Sequence, residues 1–200
     1  MSLFKRLLNP KYKSEEKIKK SDRSKYFPEN KLPTDEKFTY NFNKNGGKFI
    51  YCENLEEVLE AFDNILFENN WYENDVYCFN DQLKTRFEGY NLKFVKKSKA
   101  TFFLTTCEAL VADNGSILLC SNQIKEKKLN ELPENFVVFA TTSQLIDSIS
   151  EGMRNIKNQS PSQIPSNITT IKTFESDKEK DFMSQGSITK NLYLLLLEDL

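Results

Sequence analysis

From residue 48 onward the apolar residues fall in short runs, each bounded by Gly, Asn, Asp or Pro. Runs of this length and punctuation read as strands buried on both faces. The pattern predicts strands over 48–52, 75–79, 92–95, 101–104, 109–112, 117–119, 136–140, 168–171 and 192–197, most of them in one sheet. Between them the period changes. Leu55, Val58, Leu59, Phe62, Ile65 and Leu66 recur at spacings of three and four, which predicts an amphipathic helix over about 54–68. Asn54 is expected to cap it, with Glu57 three residues later close to a capping box. A short helix is expected over 81–87 and a longer one over 143–157. Alternation of strands and helices predicts an α/β fold with a largely parallel sheet flanked by helices. Ligands of such sheets sit beyond the carboxyl ends of the strands.

Two segments resist simple reading. Phe38-Thr39-Tyr40-Asn41-Phe42 alternates like a strand, just before the helix terminator Gly46-Gly47. Asp113-Asn114-Gly115-Ser116 separates two apolar runs, and Asn-Gly is a strong hairpin signal because both residues tolerate positive φ. The polar residues of that turn either satisfy their own backbone or meet a ligand.

Two hundred residues suffice for one such domain, placed at 36–200. Residues 1–35 read as a basic arm. Ser2 to Leu8 has the pattern of one or two amphipathic turns, Asn9-Pro10 ends them, and 11–35 are too polar to pack. Residues 1–31 carry ten Lys or Arg against four Asp or Glu, a local +6, leaving −7 for the rest of a chain of net charge −1. That balance argues against nucleic acid as a partner, and a single short segment holds a membrane weakly. No apolar run is long enough to span a bilayer and no signal region opens the chain, so the expected compartment is the cytoplasm.

The chain has no histidine, and Cys52, Cys78, Cys107 and Cys120 form no C-x-x-C pair. A zinc site or an iron–sulfur cluster held by this chain is therefore not expected, nor is a Ser-His or Cys-His nucleophile. The cysteines read as core thiols. Any base must be a carboxylate, Lys or Tyr. The polar residues concentrated in one segment are Thr105, Thr106, Glu108, Asp113, Asn114, Gly115 and Ser116. Hydroxyls with a glycine turn suit a small anionic ligand.

The segment Glu108 to Leu119 resembles the "A-[IL]-A-[DE]-T-G-[ST]-[LI]" stretch of the LUD domain, carried by the lactate utilisation protein C-type family. Leu132-Pro133, 136–140, 143–156, 168–171 and 192–197 follow in the family's order, and the resemblance spans about 36–200. It implies a helix, not a strand, before Gly46-Gly47. It also implies a fold similar to the CoA-transferase, ribose-phosphate isomerase and glucosamine-phosphate deaminase group. The implied role is a ligand-binding subunit of an iron–sulfur system that oxidises L-lactate to pyruvate, with the clusters on partner subunits and no cofactor in this chain. The alternatives are a stand-alone enzyme on a small anionic or phosphorylated metabolite and a non-catalytic interaction protein.

The C-terminal half departs from the family. Its "G-P-S-[RK]-T-A-D-I-E" and "G-x-H-G-P" segments are replaced by 172–181 and 185–191, where Ser176, Asp177, Gly186, Ser187 and Lys190 stand in for some of the polar groups. The expected ligand site joins Thr105, Thr106 and the turn Asp113, Asn114, Gly115 and Ser116 to a loop carrying Gly186, Ser187, Thr189 and Lys190. Glu108 reads as a rim residue, and it is the one candidate for a nucleophile or base in a CoA-transferase-like site.

Overall fold

The computed structural model describes residues 32–96, 99–159, 164–174 and 190–199. The expectations for the basic arm over 1–31, and for Ser176, Asp177, Gly186, Ser187 and Thr189, lie outside the described residues.

Six strands build a parallel sheet, four of them central and two, β1 and β3, at its edges, in the order β1-β10-β7-β4-β2-β3. These are β1 (Lys48–Cys52), β2 (Asp75–Tyr77), β3 (Lys93–Val95), β4 (Phe102–Thr106), β7 (Asn135–Thr141) and β10 (Asn191–Leu197). Every pairing in it is parallel. A second sheet, in the order β8-β5-β6-β9, holds β5 (Ala109–Val111), β6 (Ser116–Leu119), β8 (Leu145–Ile146) and β9 (Thr169–Ile171). So the predicted strands do form, but 109–112, 117–119 and 168–171 leave the main sheet for a sheet of their own.

The helices divide between the faces. Helices α2 (Leu55–Asn69) and α3 (Asp81–Arg86) bury Val58, Phe62, Ile65, Leu66 and Leu83 against Val76, Phe102, Leu104, Val137 and Leu195 of the main sheet. Asn54 caps α2 as predicted: its Oδ1 accepts from the Glu57 amide at 2.9 Å, while Glu57 accepts from the Glu53 amide at 2.8 Å, one residue before the return bond of a full capping box. On the opposite face, Phe103, Phe136, Val138, Leu194 and Leu196 meet Leu110, Ile117 and Leu119 of the second sheet. The alternation of β5 and β6 then turns Ala109, Val111 and Leu118 outward, where Ile156 of α5 (Ile149–Gln159) covers them. The layers therefore run helix, sheet, sheet, helix, with a short α4 (Ser121–Ile124) after β6.

Two local readings are resolved by long-range contacts. Residues 34–44 form helix α1 (Thr34–Lys44), which buries Phe38 and Phe42 one turn apart. Burying two aromatic rings in the core outweighs the strand propensity of the segment. The helix expected over 143–157 starts late. Thr142–Gln144 is a 3-10 turn, Leu145 and Ile146 pair in parallel with Leu110 and Val111, and only then does α5 begin.

Candidate functional site

Strands β1, β10 and β7 end level at Cys52, Leu197 and Thr141, β4 ends two residues short of them at Thr106, and the chain beyond β4 and β7 shapes a cleft there. Glu108 follows β4 at once. Its backbone N–H donates to Leu118 O at 2.8 Å, which fixes it at the start of the second sheet. Ser143 and Gln144 follow β7. Gln144 Nε2 donates to Cys107 O at 2.7 Å and its Oε1 accepts from the Thr141 amide at 2.9 Å, tying the ends of β4 and β7 together. Asp199 accepts from the Thr142 hydroxyl at 3.0 Å, the Ser143 amide at 2.9 Å and the Ser143 hydroxyl at 2.7 Å. Burial opposes the charge of Asp199, but the hydroxyls and amide of residues 141–143 outweigh it and hold the carboxyl below its ordinary value.

The far wall is α5. Gly152 lets it sit close, since a Cβ there would come within 2.8 Å of Leu118 Cδ2 and 2.9 Å of Ile146 Cδ1. Asn155 and Gln159, one turn apart, face the cleft. The result is a cleft of about 200 Å³ lined by Glu108, Ser143, Gln144, Asn155 and Gln159 over an apolar floor of Ala109, Ile146 and Ile156. Its size suits a ligand of a few heavy atoms. No lysine or arginine is among these lining residues.

Glu108 is half-buried and held from behind. Gln123 Nε2 donates to its Oε2 at 2.8 Å, and the Cys120 thiol lies 3.3 Å from the same oxygen. Gln123, Ser143, Gln144, Asn155 and Gln159 escaped the sequence reading. Neutral amides on a helix face and beside strand ends carry no pattern that separates them from solvated residues.

The described members of the expected shared site fall at two ends of the main sheet. Thr105 and Thr106 are at the carboxyl end of β4, and the Thr105 hydroxyl donates to Thr106 O at 3.0 Å. Lys190 immediately precedes β10, at its amino end. Thr106 is level with Phe139, and Phe139 with Leu195, so Lys190 is about 16 Å back towards the amino ends of the strands. Its ammonium donates to Leu132 O at 3.0 Å and Pro133 O at 2.8 Å and lies over the Phe136 ring. Lys190 is thus a buried bridge to two backbone carbonyls.

The Asp113–Ser116 turn is near Lys190 and away from Thr106. Asn45 donates to Asn114 O at 2.7 Å, its own carbonyl accepts from Phe174, and Phe174 pairs with Lys190. Helix α1 covers the turn. Asn41 donates to Ala112 O at 2.8 Å and Lys37 pairs with Asp113. Asn114 Oδ1 accepts from the Ser116 amide and hydroxyl at 3.1 and 2.7 Å. Of the two readings of this turn, the polar groups follow the one that satisfies the backbone.

A family model described as the LUD domain matches residues 69–196. The chain belongs to the LUD domain family. Among solved structures, the crystal structure of a DUF162 family protein from Deinococcus radiodurans is 12% identical and superposes with a TM-score of 0.57. That match covers 84% of this chain and 99% of the other, and it shows the shared fold. No curated protein matches the sequence.

This LUD chain offers no cluster-binding set among its described residues: no three His, Cys, Asp or Glu side chains are placed to share a metal. The four cysteines are separately buried. Burial pushes the thiols of Cys52, Cys78 and Cys120 up to about 11 and raises that of Cys107 further. No described helix of this LUD domain is long and apolar enough to cross a membrane.

Proposed function

We propose that this chain is the ligand-binding subunit of a LUD-type lactate-utilisation system in the cytoplasm, that partner subunits carry the iron–sulfur clusters, and that the small hydroxy acid is held in the Glu108 cleft. The observation that carries this reading is the position of Glu108. It stands beyond the carboxyl end of β4, where open parallel sheets take their ligands, its carboxylate is fixed by a buried amide, and the residue lines a cleft of ligand size. In this reading the hydroxyl of the acid donates to Glu108, and the amide groups of Asn155 and Gln159 donate to its carboxylate.

Thermal unfolding in rising L-lactate tests it. A ligand that binds only the folded chain stabilises it by about 2.7 kcal/mol at a hundred times its Kd. A graded rise in Tm with L-lactate, together with a stable complex with iron–sulfur oxidase subunits encoded beside this gene, is the expected result. A Tm indifferent to L-lactate overturns the reading.

The second reading is a stand-alone enzyme on a small anionic or phosphorylated metabolite. What favours it is the same carboxylate, a group able to act as a base. The described lining supplies no cation for either anion, a deficit that weighs more on a doubly charged phosphate than on a single carboxylate. Turnover by the isolated chain, without partner subunits, would favour this second reading.

A further inference from the structure

The hydrogen bonds of Glu108 are one-sided. Gln123 Nε2 and the Cys120 thiol both converge on Oε2, at 2.8 and 3.3 Å. Oε1 has no partner among the described residues. Gln123 is itself held: its Oε1 accepts from the Cys120 amide at 2.9 Å and lies 3.2 Å from the Cys120 thiol, which has one proton for the two acceptors. Gln123 is nine-tenths buried and Cys120 is fully buried. The amide plane of Gln123 is therefore fixed by α4 and fixes the carboxylate in turn. One carboxylate oxygen is anchored in the protein, and the other is unpaired on a residue that lines the cleft together with Ala109, Asn155 and Gln159.

A carboxylate oxygen can only accept, so the group it meets on a ligand must donate. We infer that Glu108 Oε1 is the specificity-determining contact of the cleft, reading the hydroxyl of a small hydroxy acid, and that Gln123 is its positioning residue. This rests on the ligand class under Proposed function and adds which atom discriminates. A site that pairs a hydroxyl rejects the analogue lacking it, because its own polar group is left unpaired. Propionate is that analogue of lactate: the same carboxylate and the same three carbons, with no hydroxyl.

Isothermal titration of the full chain with L-lactate and with propionate reads the contact without any substitution. L-lactate is expected to bind roughly tenfold more tightly, the discrimination of one hydrogen bond in a half-exposed site. Glu108→Met should bring the two affinities together, and propionate, no longer beside a carboxylate, should bind at least as well as before. Gln123→Met should lower the ratio partway with propionate affinity unchanged, a readout that a merely structural role would not move. Equal affinities in the native chain overturn the inference, as does a ratio that survives Glu108→Met; in both cases lactate still binds and the proposed function stands. If neither acid binds, the proposed function falls and the inference falls with it.

Discussion

Gly115 lies against the backbone of Asn41: a Cβ at Gly115 would be 2.4 Å from the Asn41 carbonyl carbon and 2.4 Å from the Phe42 nitrogen. Its φ is +62°, a conformation that costs other L-residues about 1–2 kcal/mol. The glycine of the family-like turn therefore serves a helix–turn contact. Gly115→Ala should destabilise the chain by at least about 2 kcal/mol, strain and overpacking together, in urea unfolding. Its affinity for L-lactate should be unchanged where the protein is folded. A variant as stable as the native chain would mean that α1 does not press on the turn.

Lys190 gives a second separation of stability from binding. Lys190→Met removes the donor to Leu132 O and Pro133 O and leaves two buried carbonyls without it. A loss of about 1–3 kcal/mol is expected in chemical denaturation. Lactate affinity should not fall, since the ammonium is at the far end of the sheet from Glu108. A large drop in affinity at unchanged stability would return Lys190 to the ligand site.

The sequence was legible where local pattern and tertiary demand agree. The stripe of α2 and its Asn54 cap, the alternation of β1 and the apolar runs of β7 and β10 each encode their own partner face. It was less legible where the partner is remote. Leu145 and Ile146 continue a helical pattern, yet they pair with Leu110 and Val111, and nothing nearby in sequence announces that strand. Phe38 to Phe42 reads as a strand until the rings of Phe38 and Phe42 are seen to stack at 5.2 Å in one core. The candidate site was the least legible part. Polar residues gathered within 105–116 looked like one site, but a parallel strand and the hairpin after it carry Thr106 and Gly115 to opposite ends of the sheet. The amides that do face Glu108 come from α4 and α5, elements with no polar motif.

Buried thiols make stability depend on pH in the alkaline range. Burial raises the Cys78 thiol from its ordinary value near 9 to about 11. The folded chain therefore holds a proton that the unfolded chain releases. The associated stability is complete below about pH 9 and is lost as pH rises towards 11, on the order of 2 kcal/mol for this residue. Urea midpoints should fall between pH 9 and 11, and Cys78→Ala should make that fall shallower, although its starting stability is lower. An identical slope in the variant would remove Cys78 as a cause.

The family match begins at residue 69, but the core does not. Val58, Phe62, Ile65 and Leu66 of α2 cover one face of the main sheet, Phe38 and Phe42 of α1 are buried on the other, and all six are at most 1% exposed. Strand β1 shields the edge of β10 along five paired residues, from Lys48 beside Tyr193 to Cys52 beside Leu197. At about 1.5–3 kcal/mol for each buried side chain, removing these six exposes apolar surface comparable with the whole stability of a small domain. A fragment of residues 69–200 is thus expected to lack a cooperative unfolding transition and fixed near-UV circular dichroism, and to self-associate through the bared edge of β10. The chain from residue 32 onward should unfold cooperatively. If the shorter fragment unfolded in one sharp step with native-like m-value, α1, β1 and α2 would be an appendage to a domain that closes without them.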